Sequence, residues 1–339
     1  MSRAAGTAPR VLLTGATGVV GTAVAAALRP DVDLVTVGRR PSDLVDVHWD
    51  IGRESVPESL RTHWDVVVHT AASTRWTMTK DEATLANIVP LGAVLDLIDD
   101  ETHLVHVSTA YVEGEHGERT SPWQGFRNSY EWSKAECELI ARRRAGRLTI
   151  VRPPLVLGSR GTGRISRFSG PYTVLQALTS GMAAALIGSP GGFAEIAAVD
   201  EVAASIAAAA LSEPRDQPVV IGAGAAALTL EVFVTVVCET LNEWRRDRRI
   251  APIEVPPTID PGSWHRFFRP LSDQYLTPLQ QEGVRLLGMF ESYTSMSRPF
   301  SATSLVENPA EVLSSSVRYW AERKPRLASR TPEPWRFVA

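Results

Sequence analysis

The hydrophobic positions in the first two thirds of the chain form short runs that are separated by longer stretches of mixed character. Several runs are almost continuous valine and leucine, without alternating polar positions. Such runs are typical of strands that are buried on both faces of a parallel sheet. They predict strands at residues 11–14, 34–37, 45–49, 66–69, 104–107, 148–151 and 219–221.

Segments of helical length lie between these strands. The clearest are residues 19–28, 80–98, 129–144 and 200–211, where alanine-rich sequence or apolar residues at helical spacing predict helices. Strands that alternate with helices imply right-handed crossovers. The pattern therefore predicts an α/β fold built on a doubly wound parallel sheet of the Rossmann type.

The pattern changes in the last third of the chain and becomes mainly helical. It predicts helices at 228–246, 278–290 and 309–323. We therefore expect a dinucleotide-binding domain over 10–221, with a substrate loop at 152–192, and a smaller helical C-terminal lobe over 222–339 that contributes to the substrate site.

A glycine-rich segment follows the first predicted strand and opens the first predicted helix. In this context the glycines are the fingerprint of a dinucleotide-binding loop. Gly15 permits the tight turn, Gly18 lets the backbone approach the pyrophosphate, and Gly21 allows close packing of helix on strand. The helix N-terminus offers free N–H groups to the phosphates, and Thr17 and Val19 flank this point. The alternative is a plain glycine-rich turn.

The end of the second predicted strand indicates which dinucleotide binds. Arg39 and Arg40 follow this strand, and no acidic residue stands there. An acid at this place binds the ribose hydroxyls of NAD, whereas an arginine accommodates the 2′-phosphate of NADP. We therefore expect NADP(H), with Arg39 as the main contact. The alternative is a pair of solvated surface arginines.

Two further segments follow strand ends and are predicted to contact the cofactor. Asp50 and Ile51 come after the third strand, where we expect the adenine. Thr70, Ala71 and Ala72 close the fourth strand with small side chains that let the cofactor lie flat.

Tyr130 and Lys134 are four residues apart, so they share one face of a predicted helix. A nearby ammonium group lowers the pKa of a tyrosine, and we therefore expect Tyr130 to have a lowered pKa and to donate a proton to a carbonyl oxygen. Of the 35 basic residues only Lys80, Lys134 and Lys324 are lysines. Because lysine is rare in this chain, its occurrence four residues after a tyrosine favours a functional pair over a chance match. The alternative is a surface pair.

Hydroxyl side chains stand at the end of the fifth predicted strand. Ligands bind at the carboxyl ends of strands in doubly wound folds. Thr109 is the residue that we expect to hydrogen-bond the substrate oxygen, with Ser108 as the second choice. The alternative is that both residues only cap a turn.

Composition narrows the class of protein. The net charge of −3 and the absence of a basic cluster argue against nucleic-acid binding. Cys137 and Cys238 form no disulfide framework, and the histidines have no metal-ligand spacing, so no metal is expected. We find neither a signal peptide nor a run of apolar residues long enough to span a membrane, and a cytoplasmic location is expected.

These motifs together resemble the extended short-chain dehydrogenase/reductase family over residues 10–221. The segments that carry the resemblance are TGATGVVG, HTAA, a strand ending in Ser-Thr, YxxxK and Arg-Pro-Pro after the sixth strand. The resemblance implies a catalytic triad of Thr109, Tyr130 and Lys134. It further implies that Asn87 orders a proton-relay water and that Pro153 and Pro154 lie beside the nicotinamide.

Finer features are similar to the acyl thioester and fatty acyl-CoA reductase branch of this family. They are VSTAYVEG, NSYEWSKAECE and IVRPPLVLGSRGTGRISRFSG, whereas the sequence after residue 221 departs from that branch. The resulting hypothesis is NADPH-dependent reduction of a CoA- or carrier-bound acyl thioester to an aldehyde or alcohol, by a possible homodimer. A reductase of small ketones or aldehydes, a nucleotide-sugar epimerase or dehydratase, and a non-catalytic NADP sensor remain alternatives.

Three arginines of the predicted substrate loop are further candidates for substrate binding. Arg160, Arg164 and Arg167 follow the sixth strand, and arginines of this kind hold the phosphates of a pantetheine arm. The alternative is a solvated charged face.

Overall fold

A computed structural model describes residues 8–113, 123, 125–181, 185–270 and 276–331. Gly114 of the VSTAYVEG segment, residues 182–184 of the predicted substrate loop and residues 271–275 and 332–339 of the predicted lobe lie outside this part. The chain forms two compact units. The described residues of the first unit are 8–154, 199–221 and 302–304, and the remaining described residues form the second unit.

The first unit is built on a parallel sheet of eight strands, seven of which lie at the predicted valine- and leucine-rich runs. The strands are β1 (Arg10–Thr14), β2 (Asp33–Gly38), β3 (Val47–His48), β4 (Val66–His69), β5 (His103–Val107), β6 (Arg147–Arg152), β11 (Val219–Gly222) and β14 (Ser304–Leu305). Their order in the sheet is β14–β11–β6–β5–β4–β1–β2–β3, and β14 is a strand that the pattern does not predict. The ladders from β11 to β3 are parallel, and the order reverses between β1 and β4. This arrangement confirms the doubly wound fold, which binds dinucleotides at its reversal point.

The strand register explains why these runs carry no polar alternation. Leu12 of β1 lies beside Val67 of β4, which lies beside Leu104 of β5. All three side chains are fully buried in one cluster with Leu91 and Val94. Burial stabilises such a side chain by about 1.5–3 kcal/mol relative to an exposed one.

Helices flank this sheet within the first unit. They are α1 (Val19–Leu28), α2 (Lys80–Ala83), α3 (Val89–Leu95), α4 (Ser129–Arg144) and α6 (Val199–Ala210). The predicted single helix over 80–98 is interrupted by a π-helical turn at Thr84–Ile88 and ends at Leu95. A π-helical turn of this kind is a single bulge inside an α-helix, and one such turn is too short to change the helical pattern of the whole segment.

The second unit is mainly helical, as predicted, and contains small pairs of strands. Its helices are α5 (Tyr172–Ser180), α7 (Leu230–Arg246), α8 (Pro261–Ser263), α9 (Pro278–Thr294), α10 (Pro309–Arg323) and α11 (Pro325–Ala328). Its strands pair as β7 (Leu155–Leu157) with β10 (Ile196–Ala198), β8 (Leu186–Ile187) with β13 (Thr258–Ile259), and β9 (Phe193–Ala194) with β12 (Leu228–Thr229). The segment 152–192, predicted as a loop, therefore contains the helix α5 and the strands β7 and β8. The two strands are too short to show periodicity, whereas α5 is a helix that the prediction does not include.

The division into units falls at several places along the chain. Residues 155–198, which include most of the predicted substrate loop, lie in the second unit, and one passage between the units falls at 221–222. The predicted domain boundaries stay predictions. In the described part of the chain, no helix has both the length and the apolar character needed to cross a membrane.

Candidate active site

The glycine loop between β1 and α1 has no room for side chains at two of its glycines. Gly15 has a φ of +76°, and a Cβ there would lie 2.7 Å from both the Ala71 nitrogen and the Thr70 Oγ1. A Cβ at Gly21 would lie 2.1 Å from the Gly15 carbonyl oxygen. Thr70 also donates a hydrogen bond to the Thr14 carbonyl oxygen at 2.7 Å. The end of β4 therefore fixes the shape of this loop.

The third glycine has a different environment. A Cβ at Gly18 would meet only the Gly15 carbonyl oxygen, at 3.1 Å. Gly18 is the N-cap of α1, and no side chain caps this helix end. Thr17, exposed, and Val19, partly exposed, flank it. An uncapped helix N-terminus that backbone can approach closely suits a pyrophosphate, so these residues fit a dinucleotide.

Two hydroxyl groups meet beyond the end of β5. Tyr130 lies in the first turn of α4, where Asn128 caps the helix by accepting a hydrogen bond from the Glu131 nitrogen at 3.1 Å. Thr109 is buried, its Oγ1 donates a hydrogen bond to the Pro153 carbonyl oxygen at 3.4 Å, and its side chain lies close enough to Tyr130 to influence the pKa of the phenol. The structure thus brings together two predicted site residues that are 21 positions apart in sequence.

Lys134 lies one helical turn after Tyr130 and is almost completely buried. Its Nζ donates a hydrogen bond to the Val107 carbonyl oxygen at 2.6 Å and lies 3.5 Å from the His106 Nε2. Burial lowers the pKa of this ammonium group. Lys134 is therefore held at the end of β5, beside Ser108 and Thr109.

Comparisons with known proteins agree with this geometry. The family model described as "Male sterility protein" matches residues 40–206. This segment contains β3 to β6 and the Thr109, Tyr130 and Lys134 site.

Over these residues the chain is similar to that family, which agrees with the resemblance to the extended short-chain dehydrogenase/reductase family noted over residues 10–221. Proteins of that family and the proteins of similar structure are NAD(P)-dependent oxidoreductases and epimerases. No curated protein matches it in sequence.

Several solved structures share the fold. The terminal R domain of the myxalamid PKS-NRPS pathway is 17% identical, with 94% of this chain and 92% of that chain covered and a TM-score of 0.64. A thiolation-reductase di-domain from an archaeal non-ribosomal peptide synthetase is 16% identical, with 94% and 76% covered and a TM-score of 0.62. A UDP-N-acetylglucosamine 4-epimerase from Methanobrevibacter ruminantium is 14% identical, with 94% and 100% covered and a TM-score of 0.57.

The pKa of Tyr130 shifts in the direction opposite to the one predicted. Burial raises it above the usual value, the Glu131 carboxylate raises it further, and the nearby Thr109 side chain only partly opposes them. Lys134 is not among the groups that shift it. The expectation of a lowered Tyr130 pKa is therefore wrong for the protein without cofactor, because the sequence shows the spacing of Tyr130 and Lys134 but not the burial of Tyr130.

Asn87 lies in the π-helical turn and is buried. Its Oδ1 accepts a hydrogen bond from the Ser73 nitrogen at 2.7 Å. Its Nδ2 donates to the Ser73 carbonyl oxygen at 3.1 Å and to the Ser133 Oγ at 2.8 Å. Asn87 thus connects the loop after β4 to α4, and its role in ordering a water stays a prediction.

The two arginines after β2 are exposed. Among the described residues, neither Arg39 nor Arg40 makes an ion pair or a hydrogen bond through its guanidinium group. Gly38 precedes them, and a Cβ there would lie 2.6 Å from a methyl group of Val45. Both guanidinium groups are therefore available to an anionic ligand beside the glycine loop.

The remaining predicted cofactor contacts follow other strand ends. The Asp50 nitrogen donates to the Glu54 carboxylate at 2.9 Å, and Ile51 packs against the buried Trp49 cluster. Ala72 is exposed just after β4.

Pro153 and Pro154 follow β6, and both are buried. The Pro153 carbonyl oxygen accepts from the Ala110 nitrogen at 2.9 Å. Their contacts with a cofactor stay predictions.

The structure contains a row of buried polar side chains, on three neighbouring strands, that the predicted site does not include. The Thr14 Oγ1 and the His69 Nδ1 are 2.8 Å apart, and the His69 and His106 rings stack with centroids 5.6 Å apart. Burial, aided by the Lys134 charge, lowers the pKa of His69 to about 3 and that of His106 well below its usual value. Both rings are therefore neutral at pH 7. Their alignment depends on strand register, which the sequence does not state.

The structure also contains a buried ion pair beside Tyr130 that the predicted site does not include. The Arg127 Nε lies 2.9 Å from the fully buried Glu131 carboxylate, and the Arg127 guanidinium lies over the Tyr111 ring. The four-residue spacing of Arg127 and Glu131 could have indicated this pair. Ser108, by contrast, has a buried Oγ without a hydrogen-bond partner in the described part of the chain.

Proposed function

We propose that this chain is an NADPH-dependent reductase of CoA- or carrier-bound acyl thioesters, which it converts to aldehydes or alcohols. The observation that carries this proposal is the proximity of the Thr109 and Tyr130 side chains at the sheet edge. Two hydroxyl donors side by side suit a single carbonyl oxygen that gains negative charge. Donors placed in advance at such an oxygen are commonly the largest electrostatic contribution to catalysis.

The preference for NADPH rests on the residues after β2. Arg39 and Arg40 are exposed and unpaired among the described residues, and no carboxylate of the β2–β3 connection occupies the place directly after Gly38. The 2′-phosphate of NADP would form charge-assisted hydrogen bonds with these guanidinium groups.

The preference for a thioester rests on similarity. Two of the structures that share the fold are reductase domains of PKS-NRPS or peptide-synthetase systems, and one of them adjoins a thiolation domain. The segments that resemble acyl thioester reductases lie in the same half of the chain as the Thr109 and Tyr130 pair.

The residues of this site support the following chemistry. When bound, NADPH supplies the hydride that reduces the carbonyl carbon. Thr109 and Tyr130 donate hydrogen bonds to the carbonyl oxygen, and Tyr130 transfers its proton to that oxygen. The raised pKa of Tyr130 keeps this proton on the phenol at neutral pH until the oxygen becomes basic enough to accept it. Lys134, which the Val107 carbonyl oxygen holds at the end of β5, is the residue that we expect to contact the ribose.

The product of this step is a hemithioacetal, and its collapse completes the reaction. The carbon–sulfur bond breaks, the hydroxyl proton passes to the leaving sulfur, and the products are an aldehyde and a thiol. One hydride and one proton are consumed. Tyr130 recovers its proton from solvent, and Asn87 is the residue that we expect to order the water on this route.

The test is NADPH oxidation, followed by nicotinamide absorbance, with acyl-CoAs, small ketones and sugar nucleotides in parallel. We expect consumption with acyl-CoAs, with one free thiol released per NADPH if the product is an aldehyde and one per two NADPH if it is an alcohol. Consumption with ketones alone would contradict the thioester proposal. Tight NADPH binding without consumption by any substrate would favour a sensor.

The sugar-nucleotide arm addresses a second candidate function. An epimerase also shares this fold over nearly the whole chain. Conversion of a sugar nucleotide to its epimer without net NADPH oxidation would favour this candidate over a reductase.

A further inference from the structure

A cavity of about 500 Å³ lies entirely within the second unit. It lies between the segment that enters α5 and the end of α10. The residues that line it are Ser166, Arg167, Phe168, Tyr172, Thr173, Gln176, Trp320, Arg323, Lys324 and Leu327. We refer to it as the basic cavity. Its volume is within the range of small-molecule sites, which is roughly 300–1,000 Å³.

The charge of the basic cavity is not balanced. Arg167, Arg323 and Lys324 are exposed, and none makes an ion pair or side-chain hydrogen bond with a described residue. Among the residues that the structure describes, no carboxylate lines the cavity. Three cations that face one volume repel each other, and an anion there would relieve this repulsion.

Neighbouring arginines of the same unit differ in this respect. Arg160 pairs with Glu311, and Arg318 pairs with Glu243 at 2.8 Å. Of the three loop arginines predicted to hold phosphates, Arg167 is therefore the one that faces the cavity, whereas Arg160 is already paired.

The helix dipole accounts for only part of this cluster. Arg323 and Lys324 stand at the C-terminus of α10, where cations are stabilising. Arg167 lies more than 150 residues earlier in the chain and is not at the C-terminus of α10, so the helix dipole does not explain its position. Its approach to the other two cations is what makes the cluster a candidate binding site.

Aromatic side chains form a fixed wall of the same cavity. The Phe168 and Tyr172 rings are 4.9 Å apart in an edge-to-face arrangement. The Tyr172 hydroxyl accepts a hydrogen bond from the Gly158 nitrogen at 3.0 Å, and Trp320 is almost completely buried. A rigid aromatic wall next to cations suits a ligand that has both an apolar or heterocyclic part and a phosphate.

We propose that the basic cavity binds an organic phosphate. Arg167, Arg323 and Lys324 hold the phosphoryl group, and the organic part lies against Phe168 and Trp320. Thr173 and Gln176 add hydrogen-bonding groups at the rim. Two sources have this chemistry, namely the nucleotide end of coenzyme A and the phosphopantetheine arm of a carrier protein.

The test is calorimetric binding to the full chain whose cofactor site is saturated with a nicotinamide dinucleotide. This saturation prevents the ligands from binding at the glycine loop. The ligands are adenosine 3′,5′-bisphosphate, 4′-phosphopantetheine, adenosine and inorganic phosphate. We expect one or both organic phosphates to bind, more tightly than adenosine or phosphate. Binding of the bisphosphate alone would indicate coenzyme A as the source, and binding of phosphopantetheine alone would indicate the arm of a carrier protein.

Variants connect this binding to the cavity. Arg323→Ala/Lys324→Ala should weaken it about tenfold or more. The matched control is Arg326→Ala/Arg330→Ala, which removes two exposed cations nearby that do not line the cavity. Binding of neither organic phosphate, or equal weakening by both double variants, would overturn the proposal. Because no turnover is measured, this result does not depend on whether a thioester is the substrate.

Discussion

Two of the three lysines of the chain lie in opposite environments, one in the candidate active site and one at the basic cavity. Lys134 is 2% exposed, and its Nζ donates to the Val107 carbonyl oxygen. Lys324 is exposed and without a partner among the described residues. In the first unit the fold itself holds the functional groups in place, and burial changes their pKa values. In the second unit the cations of the basic cavity have no partner among the described residues and are therefore available to a ligand.

This difference makes distinct predictions for the two regions. Where groups are buried and bonded to each other, single substitutions should abolish a specific step. Where cations are exposed and unpaired, substitutions should change affinity and leave the rest of the protein intact. The following predictions run from the largest expected effect to the smallest.

The largest effect is expected for Tyr130→Phe. This change removes the proton donor and one of two hydroxyls at the carbonyl oxygen, but keeps the ring. General acid catalysis typically contributes about a hundred- to ten-thousandfold, so kcat should fall by that factor. Binding of NADPH should stay within about twofold, because the phenol does not belong to the glycine loop. Full turnover by this variant would contradict the assignment of Tyr130 as the proton donor.

A comparison of two helical glycines tests the glycine loop. In Gly21→Ala the new Cβ would lie 2.1 Å from the Gly15 carbonyl oxygen, so the loop must shift. Gly92→Ala in α3 is the matched control, since no atom lies within 4 Å of its Cβ. NADPH affinity, measured by fluorescence titration, should fall by about a hundredfold or more for Gly21→Ala, which corresponds to about 2.7 kcal/mol. Equal affinities in the two variants would contradict a cofactor site at this loop.

These two predictions concern residues that the sequence alone identifies. Gly21 follows a strand, and Tyr130 stands four residues before a rare lysine, so both signals are local. The uninterrupted valine and leucine runs predict the sheet equally well, because each strand is buried on both faces. The strands β7 to β10, of two or three residues each, carry no periodic pattern and are not predicted.

Other features depend on contacts between distant segments. The alignment of Thr14, His69 and His106 requires the register of three strands. The raised pKa of Tyr130 requires its burial, and the basic cavity joins Arg167 to Arg323 across more than 150 residues. No local pattern contains this information, and the sequence predicts none of the three.

Buried histidines should make stability dependent on pH. Burial, together with the Arg147 charge, lowers the pKa of His103 to about 4 from 6.5. Above pH 6.5 the residue is neutral in both states and contributes nothing to this dependence. Between pH 6.5 and 4 the unfolded chain binds a proton that the folded chain does not, so stability falls as the pH falls. The loss is up to about 3 kcal/mol, since one pKa unit corresponds to about 1.36 kcal/mol.

The variant His103→Gln removes this titration and retains hydrogen-bonding capacity toward Thr149, which now lies 2.9 Å from the His103 Nε2. The control is His63→Gln, an exposed histidine 3.0 Å from Asp99. Urea unfolding at pH 7 and pH 4.5 should show a smaller pH-dependent loss for His103→Gln than for the wild type. The same loss in His103→Gln and in the wild type would contradict a buried neutral His103.

The smallest effect concerns Arg39, an exposed cation in the first unit, where the two environments are combined. Its guanidinium has no partner among the described residues, as at the basic cavity, but it lies next to a glycine loop that the fold holds rigidly. Arg39→Gln should weaken NADPH binding by about tenfold to a hundredfold, since hydrogen bonds to charged groups contribute about 1.5–3 kcal/mol. NADH lacks the 2′-phosphate, and its affinity should not change.

The ratio of the two affinities is therefore the decisive measurement, because a general disturbance of the loop would weaken NADPH and NADH alike. Arg53→Gln, which removes another exposed cation after β3, is the matched control and should leave the ratio unchanged. Raising the salt concentration should reduce the preference of the wild type for NADPH, as expected for an exposed ionic contact. An unaltered ratio in Arg39→Gln would assign the preference to Arg40 or remove it altogether. In either case, a single exposed cation without a partner would not be enough to indicate a phosphate site. The assignment of the basic cavity would then depend on the fact that three cations line the same cavity, and not on the exposure of each one.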